Sequence, residues 1–594
     1  MIKGFAKAFC LTACITAGAA CGTEAPAPYG VLPSQAQIEW QKMETNMFCH
    51  FGPNTFTSAE WGTGQENADV FNPTEMDCRQ WASIAKAAGM KGIIITAKHH
   101  DGFCLWPNPV SKHTVAQSSW KDGKGDVLKE LSEACREYGL KFGVYISPWD
   151  RNDPAYGTDE YNDVFRKTLE SALGSYGPVF EQWFDGACGE GPNGKRQVYD
   201  WNLYHETVYR LQPDAIIFSD TGPGCRWIGN EAGYAGKTCW STLDTTGFAP
   251  GAAPARDTLN CGNVHGKAWI PGEADVSIRP GWFYKDSEND KVKSLSDLLG
   301  IYYASVGRNS LLLLNVPPDK RGLIYGTDSL RLMEFRSALD HIFSADMSDG
   351  AMAEASAVRG GSGRFSAANI LDQDYDSYWC TDDDVTTASV TVSLDGEKTF
   401  NRIMLQEYIP LGQRIARFSV DIKDNEGNWT RAAEGTTIGY KRILLTDRIT
   451  TDAVRINIEK SYACPLLNGF GLFLDDIMGE TEGWDDAGSP GETMAADEVL
   501  SLDLGKVSQA KGFFYQPKKR GADGCIITYD LEVSRDGEQW TRVFAGKMFE
   551  NIVNNPIRQN VEFGQNLSFR YMRLIPLTSS DEDSYGVSGF GILE

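Results

Sequence analysis

The 594-residue sequence predicts an α/β plus all-β chain: an N-terminal (β/α)8-type barrel followed by two antiparallel β-sandwich (jelly-roll) domains. Three observations carry this. Between about residues 36 and 345, short β-type runs alternate with amphipathic helical windows that end in glycine, the mark of repeated βα units. Polar side chains gather at the ends of those runs, which in a closed barrel meet on one face. Beyond that point the helical period gives way to period-two alternation with frequent turn signals.

The opening MIKGFAKAFCLTACITAGAAC, residues 1–21, has a lysine-bearing start, an apolar run and a small-residue exit, the layout of a secretory signal. Cys14 and Cys21 are both candidates for the lipidated cysteine of a lipoprotein, and cleavage beside Ala20 is the alternative. No later segment is apolar enough to span a membrane, so the expected location is periplasmic, cell-surface or extracellular, with a lipid anchor as an option. Three of the 14 cysteines lie in this opening, and the other 11 show no C-x-x-C spacing, so buried thiols are expected in place of zinc.

Strands follow at 46–52, 91–100, 140–147, 178–186, 214–220, 237–242, 268–277 and 310–316, with helices such as DVLKELSEACREYG between most of them. They define a barrel over 22–345. Next come 346–482 and 483–594, two sandwiches that match each other internally: FSVDIKDNEGNWTR aligns with LEVSRDGEQWTR, and LLNGFGLF with GVSGFGIL. The formal charge of −24, with no basic tract to offset it, argues against nucleic acid and anionic lipid as partners and favours a neutral ligand.

Within the barrel, PVFEQWFDG runs apolar and then stops at Asp185. A carboxylate ending a buried strand is either pinned by hydrogen bonds or kept for chemistry. Glycoside hydrolysis by retention needs a second carboxyl about 5 to 5.5 Å away. Two residues contend for that place, Glu231 in the loop RWIGNEAGYAG and Glu273 in PGEADVS, with a salt bridge to Arg279 as the structural alternative for Glu273. His50, His99 and His100 fall at the first two strand ends, where hydroxyl recognition is favoured over metal because no ligand spacing such as H-x-x-x-H occurs. Adjacent His99 and His100 are expected on opposite faces of their strand. Tryptophans 61, 106, 149, 183, 227 and 282 fall on or just after strands, and a minority of them are expected to stack on a sugar face. The sequence contains no phosphate loop, dinucleotide fingerprint or nucleophile elbow.

Seven segments, MFCHFGPNTFTSAEWG, TAKHHDGFCLWPNPVSKHTV, GVYISPWD, EQWFDGA, WIGNEAG, PGEADVSIRPGWFY and LLLLNVPPDKRG, together make the barrel resemble the α-L-fucosidases of glycoside hydrolase family 29. The resemblance implies a retaining exo-enzyme with Asp185 as nucleophile and, in the branch whose loop reads GNE, Glu231 as acid/base. It also implies fucose contacts at His50, Glu60, Trp61, His99, His100, Tyr145 and Trp282, with Glu273 a supporting acid, no catalytic cofactor, and α-1,3/1,4-fucosylated Lewis-type glycans as substrates. The alternatives are a broad-specificity α-L-fucosidase and a non-catalytic glycan-binding surface protein. The first sandwich, with FSAANILDQDYDSYWCTDD, resembles the coagulation-factor-type discoidin fold and carbohydrate-binding family 32. That resemblance implies a structural calcium at Asp372, Asp374 and Asp376, although GLFLDD stands where that group usually carries a binding glutamate.

Overall fold

A computed structural model describes residues 24–252, 256–424, 426–478, 491–518 and 524–593. Cys14 and Cys21 lie outside the described residues. Among those described, no helix is long and apolar enough to cross a membrane.

Eight parallel strands close the barrel: β1 (Thr45–Cys49), β2 (Gly92–Lys98), β3 (Lys141–Ile146), β4 (Glu181–Trp183), β5 (Ile216–Ser219), β6 (Cys225–Trp227), β7 (Gly272–Ser277) and β8 (Ser310–Asn315). β8 pairs back onto β1. Helices cover their outer faces, so β2 and β8, reading GIIITAK and SLLLLN, are buried at every residue and show no alternation. The connecting helices α1 (Cys78–Ala87), α2 (Val127–Tyr138), α3 (Asp159–Leu173) and α4 (Trp201–Leu211) lie between β1 and β5. Asp77, Asp126 and Asp200 cap three of these helices by accepting hydrogen bonds from first-turn backbone N–H groups. Gly139, at φ 66°, ends α2 in the left-handed conformation and turns the chain directly into β3.

The sixth strand departs from the sequence expectation. It is Cys225–Trp227, reached from β5 by residues 220–224 without a helix, while the predicted run at 237–242 joins a separate ribbon in which Thr242–Leu243 pairs with Ala268–Trp269. Three residues are too few to display a period, whereas KTCWST has the β-branched and aromatic content of a strand.

The two sandwiches share one strand order. In the first it is Trp429–Gly435, Ile415–Lys423, Arg442–Ser461, Ala388–Glu407 and Leu466–Phe473; in the second, Trp540–Met548, Ile526–Ser534, Gln559–Ser579, Leu500–Gln516 and Gly589–Leu593. The match extends to side chains. Arg455 lies 4.3 Å over Trp429, and Arg573 lies 4.1 Å over Trp540, each from the long strand beside the hairpin.

The sandwiches meet the barrel at opposite ends. The first docks where β1 and β8 begin: Tyr440 N donates to Asn309 Oδ1 at 2.7 Å, Lys441 pairs with Glu44, and Ile443 and Phe473 enter the barrel's own apolar core. A buried Arg402–Asp475 ion pair at 2.9 Å adds to the junction, with Tyr303 of α5 (Leu295–Ser305) donating to the same carboxylate at 2.8 Å. The second sandwich reaches the far end, where the strands finish, through the turn after Trp540–Met548.

Candidate active site

The strand ends of the barrel surround a cavity of about 260 Å³. Asp185 stands two residues beyond β4 and keeps 27% of its side chain exposed to it. Its carboxylate is held by local donors: Tyr145 OH donates to Oδ2 at 3.0 Å, and Ala187 N donates to Oδ1 at 2.7 Å. The residue that follows has to be glycine, because a Cβ at Gly186 would lie 2.7 Å from Asp220 Oδ2 and 2.9 Å from Gly251 N.

Glu231 faces the same cavity from the loop after β6. Asn230 folds that loop on itself, accepting from Ala232 N at 3.1 Å and donating to Tyr234 O at 2.9 Å. The residue as a whole is only partly covered, yet burial of its carboxyl pushes the pKa up to about 8. Hydrogen bonds from Trp282 Nε1 at 2.6 Å and Asn551 Nδ2 at 2.9 Å oppose the shift, and the charge of Asp185 adds to it. Asp185 and Glu231 thus line one cavity in unlike surroundings, the first in polar contact with solvent and the second more enclosed and protonated at neutral pH.

Histidines 50, 99 and 100 all line the cavity. β2 ends at Lys98, so His99 and His100 escape strand alternation, and their rings lie 4.1 Å apart on the same side. Burial lowers the His50 and His100 pKa values to about 3 and about 4, which keeps both rings neutral. Their tautomers follow from their partners. Asn315 donates to Ser277 Oγ and to Trp282 O, so its Oδ1 must accept from His50 Nδ1, 2.9 Å away. Ser147 Oγ donates to Trp149 O and accepts from His100 Nδ1 at 2.8 Å. His100 Nε2 is thereby left as an acceptor 3.8 Å from Asp185 Oδ2, a pair of acceptors with room between them for a ligand hydroxyl.

Tyr145, Trp61, Trp282 and Glu60 are also in the wall. Glu60 pairs with Lys285 at 2.5 Å and accepts from Trp282 N at 2.9 Å, which fixes the indole that in turn holds Glu231. Of the six tryptophans at strand ends, 61, 183, 227 and 282 face the cavity, while Trp106 and Trp149 do not line it.

Glu273 is a correction. It does not line the cavity; it lies fully buried in the barrel core, accepting from Trp183 Nε1 at 2.9 Å and hydrogen-bonded to Glu181. It is not bridged to Arg279 either, since that guanidinium pairs with Asp328 at 2.7 Å. The reason is its register: Glu273 is the second residue of β7, and Asp275, two residues on and on the same face, is the one that reaches the cavity. Asp275 was missed by sequence reasoning, although period-two alternation through GEADVS could have found it. Asp220, Asn551 and Asn554 also join the wall. Asp220 was legible as a strand end; the two asparagines, on a distant module, carried no signal.

Glu181 and Glu273 form a dyad of raised pKa, Glu181 up to about 7, mainly because burial disfavours charge. Each holds a proton in the folded state that it gives up when unfolded above about pH 4.5, so stability drains away as pH rises toward 7. Glu273→Gln keeps a donor for Glu181 and an acceptor for Trp183 while removing one ionisable group. Calorimetry across pH 5 to 8 should therefore show a shallower fall in Tm for the variant than for the wild type; parallel curves would refute the dyad.

The calcium expected from the resemblance finds no fitting site at the aspartates. Asp372 Oδ1 accepts from Asp374 N at 2.9 Å, Asp372 Oδ2 from Ser377 Oγ at 2.6 Å, and Asp374 Oδ1 from Asp376 N at 3.0 Å, so these carboxylates close turns. Among the described residues the only ligand-type cluster of His, Cys, Asp and Glu is Glu181, Cys225 and Glu273 in the barrel core.

Two carboxyls of opposed character at the C-terminal mouth of a closed barrel, ringed by neutral imidazoles and indoles, are the equipment of a glycoside hydrolase. Comparison with known proteins then narrows the class. The α-L-fucosidase family model matches residues 27–339, and the F5/8 type C domain matches 352–468 and 473–588. Alpha-L-fucosidase 1 of Arabidopsis thaliana is 42% identical over 460 residues, covering 77% of this chain and 90% of that protein. A solved fucosidase of glycoside hydrolase family 29 from Ruminococcus gnavus, in complex with fucose, is 32% identical with a TM-score of 0.72, covering 77% of this chain and 98% of the other. A family 29 member from a rumen bacterium is 36% identical over 96% of this chain and 100% of its own, with a TM-score of 0.67. The chain belongs to the α-L-fucosidase family, glycoside hydrolase family 29, with F5/8 type C domains behind its barrel.

Proposed function

We propose that the protein is a retaining exo-α-L-fucosidase that releases L-fucose from α-1,3- and α-1,4-fucosylated, Lewis-type glycans outside the cytoplasm. The observation that carries the reading is the unlike pair, Asp185 hydrogen-bonded and partly exposed, Glu231 protonated to about pH 8, in one cavity. Asp185 attacks the anomeric carbon as the C–O bond to the leaving sugar breaks, and the Glu231 proton passes to the departing oxygen. Glu231, now a carboxylate, takes a proton from water, which displaces Asp185 and leaves fucose with its original configuration.

The exo mode is supported by the volume: about 260 Å³ is below the roughly 300–1,000 Å³ of sites for larger ligands, and suits one terminal ring. Five carboxyl side chains, Glu60, Asp185, Asp220, Glu231 and Asp275, and, among the described residues, no lysine or arginine line the wall; with Glu231 and Asp275 protonated and Glu60 paired with Lys285, Asp185 and Asp220 disfavour anionic sugars and leave a place for a neutral deoxyhexose. Neutral His50 and His100, their Nδ1–H groups spent on Asn315 and Ser147, supply Nε2 acceptors for its hydroxyls.

Purified protein incubated with a Lewis trisaccharide and with 4-nitrophenyl fucoside tests this. Faster release from the trisaccharide, with α-fucose as the first anomer seen by NMR, is expected. β-Fucose appearing first would rule out retention, fast aryl cleavage with a slow trisaccharide would mark a broad-specificity enzyme, and no fucose from either would mark a glycan binder.

A further inference from the structure

The Glu231 carboxyl is held by two donors, and one of them does not belong to the barrel. Asn551 Nδ2 comes from the turn after strand Trp540–Met548 of the second sandwich, 320 residues away in sequence, and donates to Glu231 Oε2 at 2.9 Å. The turn is fastened on both sides of that contact. Glu550 Oε2 accepts from Trp61 N at 3.2 Å, and Asn555 Nδ2 donates to Pro280 O at 2.9 Å. Asn551 itself sits at φ 55°, a left-handed conformation that asparagine tolerates, and its backbone oxygen accepts from Asn555 N at 2.9 Å. Phe549 and Ile552, on either side, are buried in the core of the second sandwich. A rigid module thus presents the Asn551 carboxamide to the mouth of the barrel.

From this geometry we propose that the second sandwich is a working part of the fucosidase site, with Asn551 as the positioning residue that orients the Glu231 carboxyl toward the leaving group. The proposal rests on Glu231 being the acid/base. Both N–H donors, from Trp282 and Asn551, converge on Oε2, so the proton is carried on Oε1. With only the Trp282 contact the carboxyl could rotate and bring the wrong oxygen forward. After the proton has left, the same two donors hold the carboxylate that must next accept a proton from water. Asn551 also lines the cavity, so the module contributes to the wall on the side where the departing sugar leaves.

The test is Asn551→Gly, since glycine adopts positive φ freely and only the carboxamide is lost. Wild type and variant are compared on a Lewis trisaccharide, whose leaving group must be protonated, and on 2,4-dinitrophenyl fucoside, whose leaving group need not be. Loss of one hydrogen bond to a carboxyl that becomes charged as its proton leaves is expected to lower kcat/KM on the trisaccharide about 10- to 100-fold, with the dinitrophenyl substrate little changed. The basic limb of the trisaccharide profile should also move to higher pH, because a donor that favours the carboxylate has gone. Equal losses on both substrates, or no loss on either, would overturn the proposal. If the glycine variant does not fold, Asn555→Ala, which releases the turn at Pro280, replaces it with the same expected selectivity and the same overturning results. An inactive wild type would defeat the hydrolase reading itself, a result distinct from an active wild type with an indifferent variant.

Discussion

Asp185→Asn is expected to abolish fucose release, lowering kcat by about 10⁴-fold or more, as loss of a covalent nucleophile does elsewhere. The substitution is nearly isosteric. Its Oδ1 can still accept from Ala187 N, and nothing in the neighbouring backbone has to move, so fold and Tm should be preserved. What is lost is the negative charge and lone pair that face the anomeric carbon. Two measurements separate a nucleophile from a bystander. A 2-fluoro-fucosyl donor should leave a covalent adduct on the peptide bearing Asp185, and Asp185→Gly with added azide should yield β-fucosyl azide, azide having taken the vacated face. An asparagine variant retaining more than about a hundredth of wild-type kcat, below the usual weight of even a single proton-transfer group, would sink the assignment.

Glu231→Gln is expected to cost roughly 10² to 10⁴-fold on a trisaccharide, the usual weight of general acid–base catalysis, and far less on a fucoside with an activated leaving group. Its pH signature follows from burial. The acid form does the work in the first step, so wild-type activity should fall as pH climbs through about 8, and the glutamine variant should lose that basic limb. An alanine at the same position leaves room for azide, which should attack the fucosyl-enzyme and give α-fucosyl azide. Were Glu231→Gln near normal and Asp275→Asn inactive, the acid/base would have to be reassigned to Asp275, the other buried acid of the wall with a strongly raised pKa.

Much of this was legible in the sequence, and what was not has physical causes. The barrel announced itself because β2 and β8 are long, wholly buried and apolar, and because helices such as α2 carry an aspartate cap and a glycine stop. β6 escaped because its three residues are too short to show any period. His99 and His100 were expected to diverge because the strand was drawn through them to residue 100; it stops two residues short, at Lys98. Glu273 was taken for the rim although the strand was drawn to its true end at Ser277; it is the second residue of β7, and of the two acids on that face Asp275 stands two residues nearer the mouth. Asn551 was invisible for a different reason. Its role depends on how one module is set against another, and no local pattern encodes that.

The acidic wall has an outcome beyond the choice of substrate. Burial keeps Glu231 and Asp275 protonated, Glu60 is paired with Lys285, and His50 and His100 carry no charge, so the negative field inside the cavity comes from the side of Asp185 and Asp220. Such a field favours an oxocarbenium-like ring over the neutral sugar that precedes it, and it should hold a protonated ring nitrogen in the same place. An iminosugar of fuco configuration should accordingly bind more tightly than fucose, and its grip should weaken in mild acid as Asp220, raised by burial to about 6, takes up a proton.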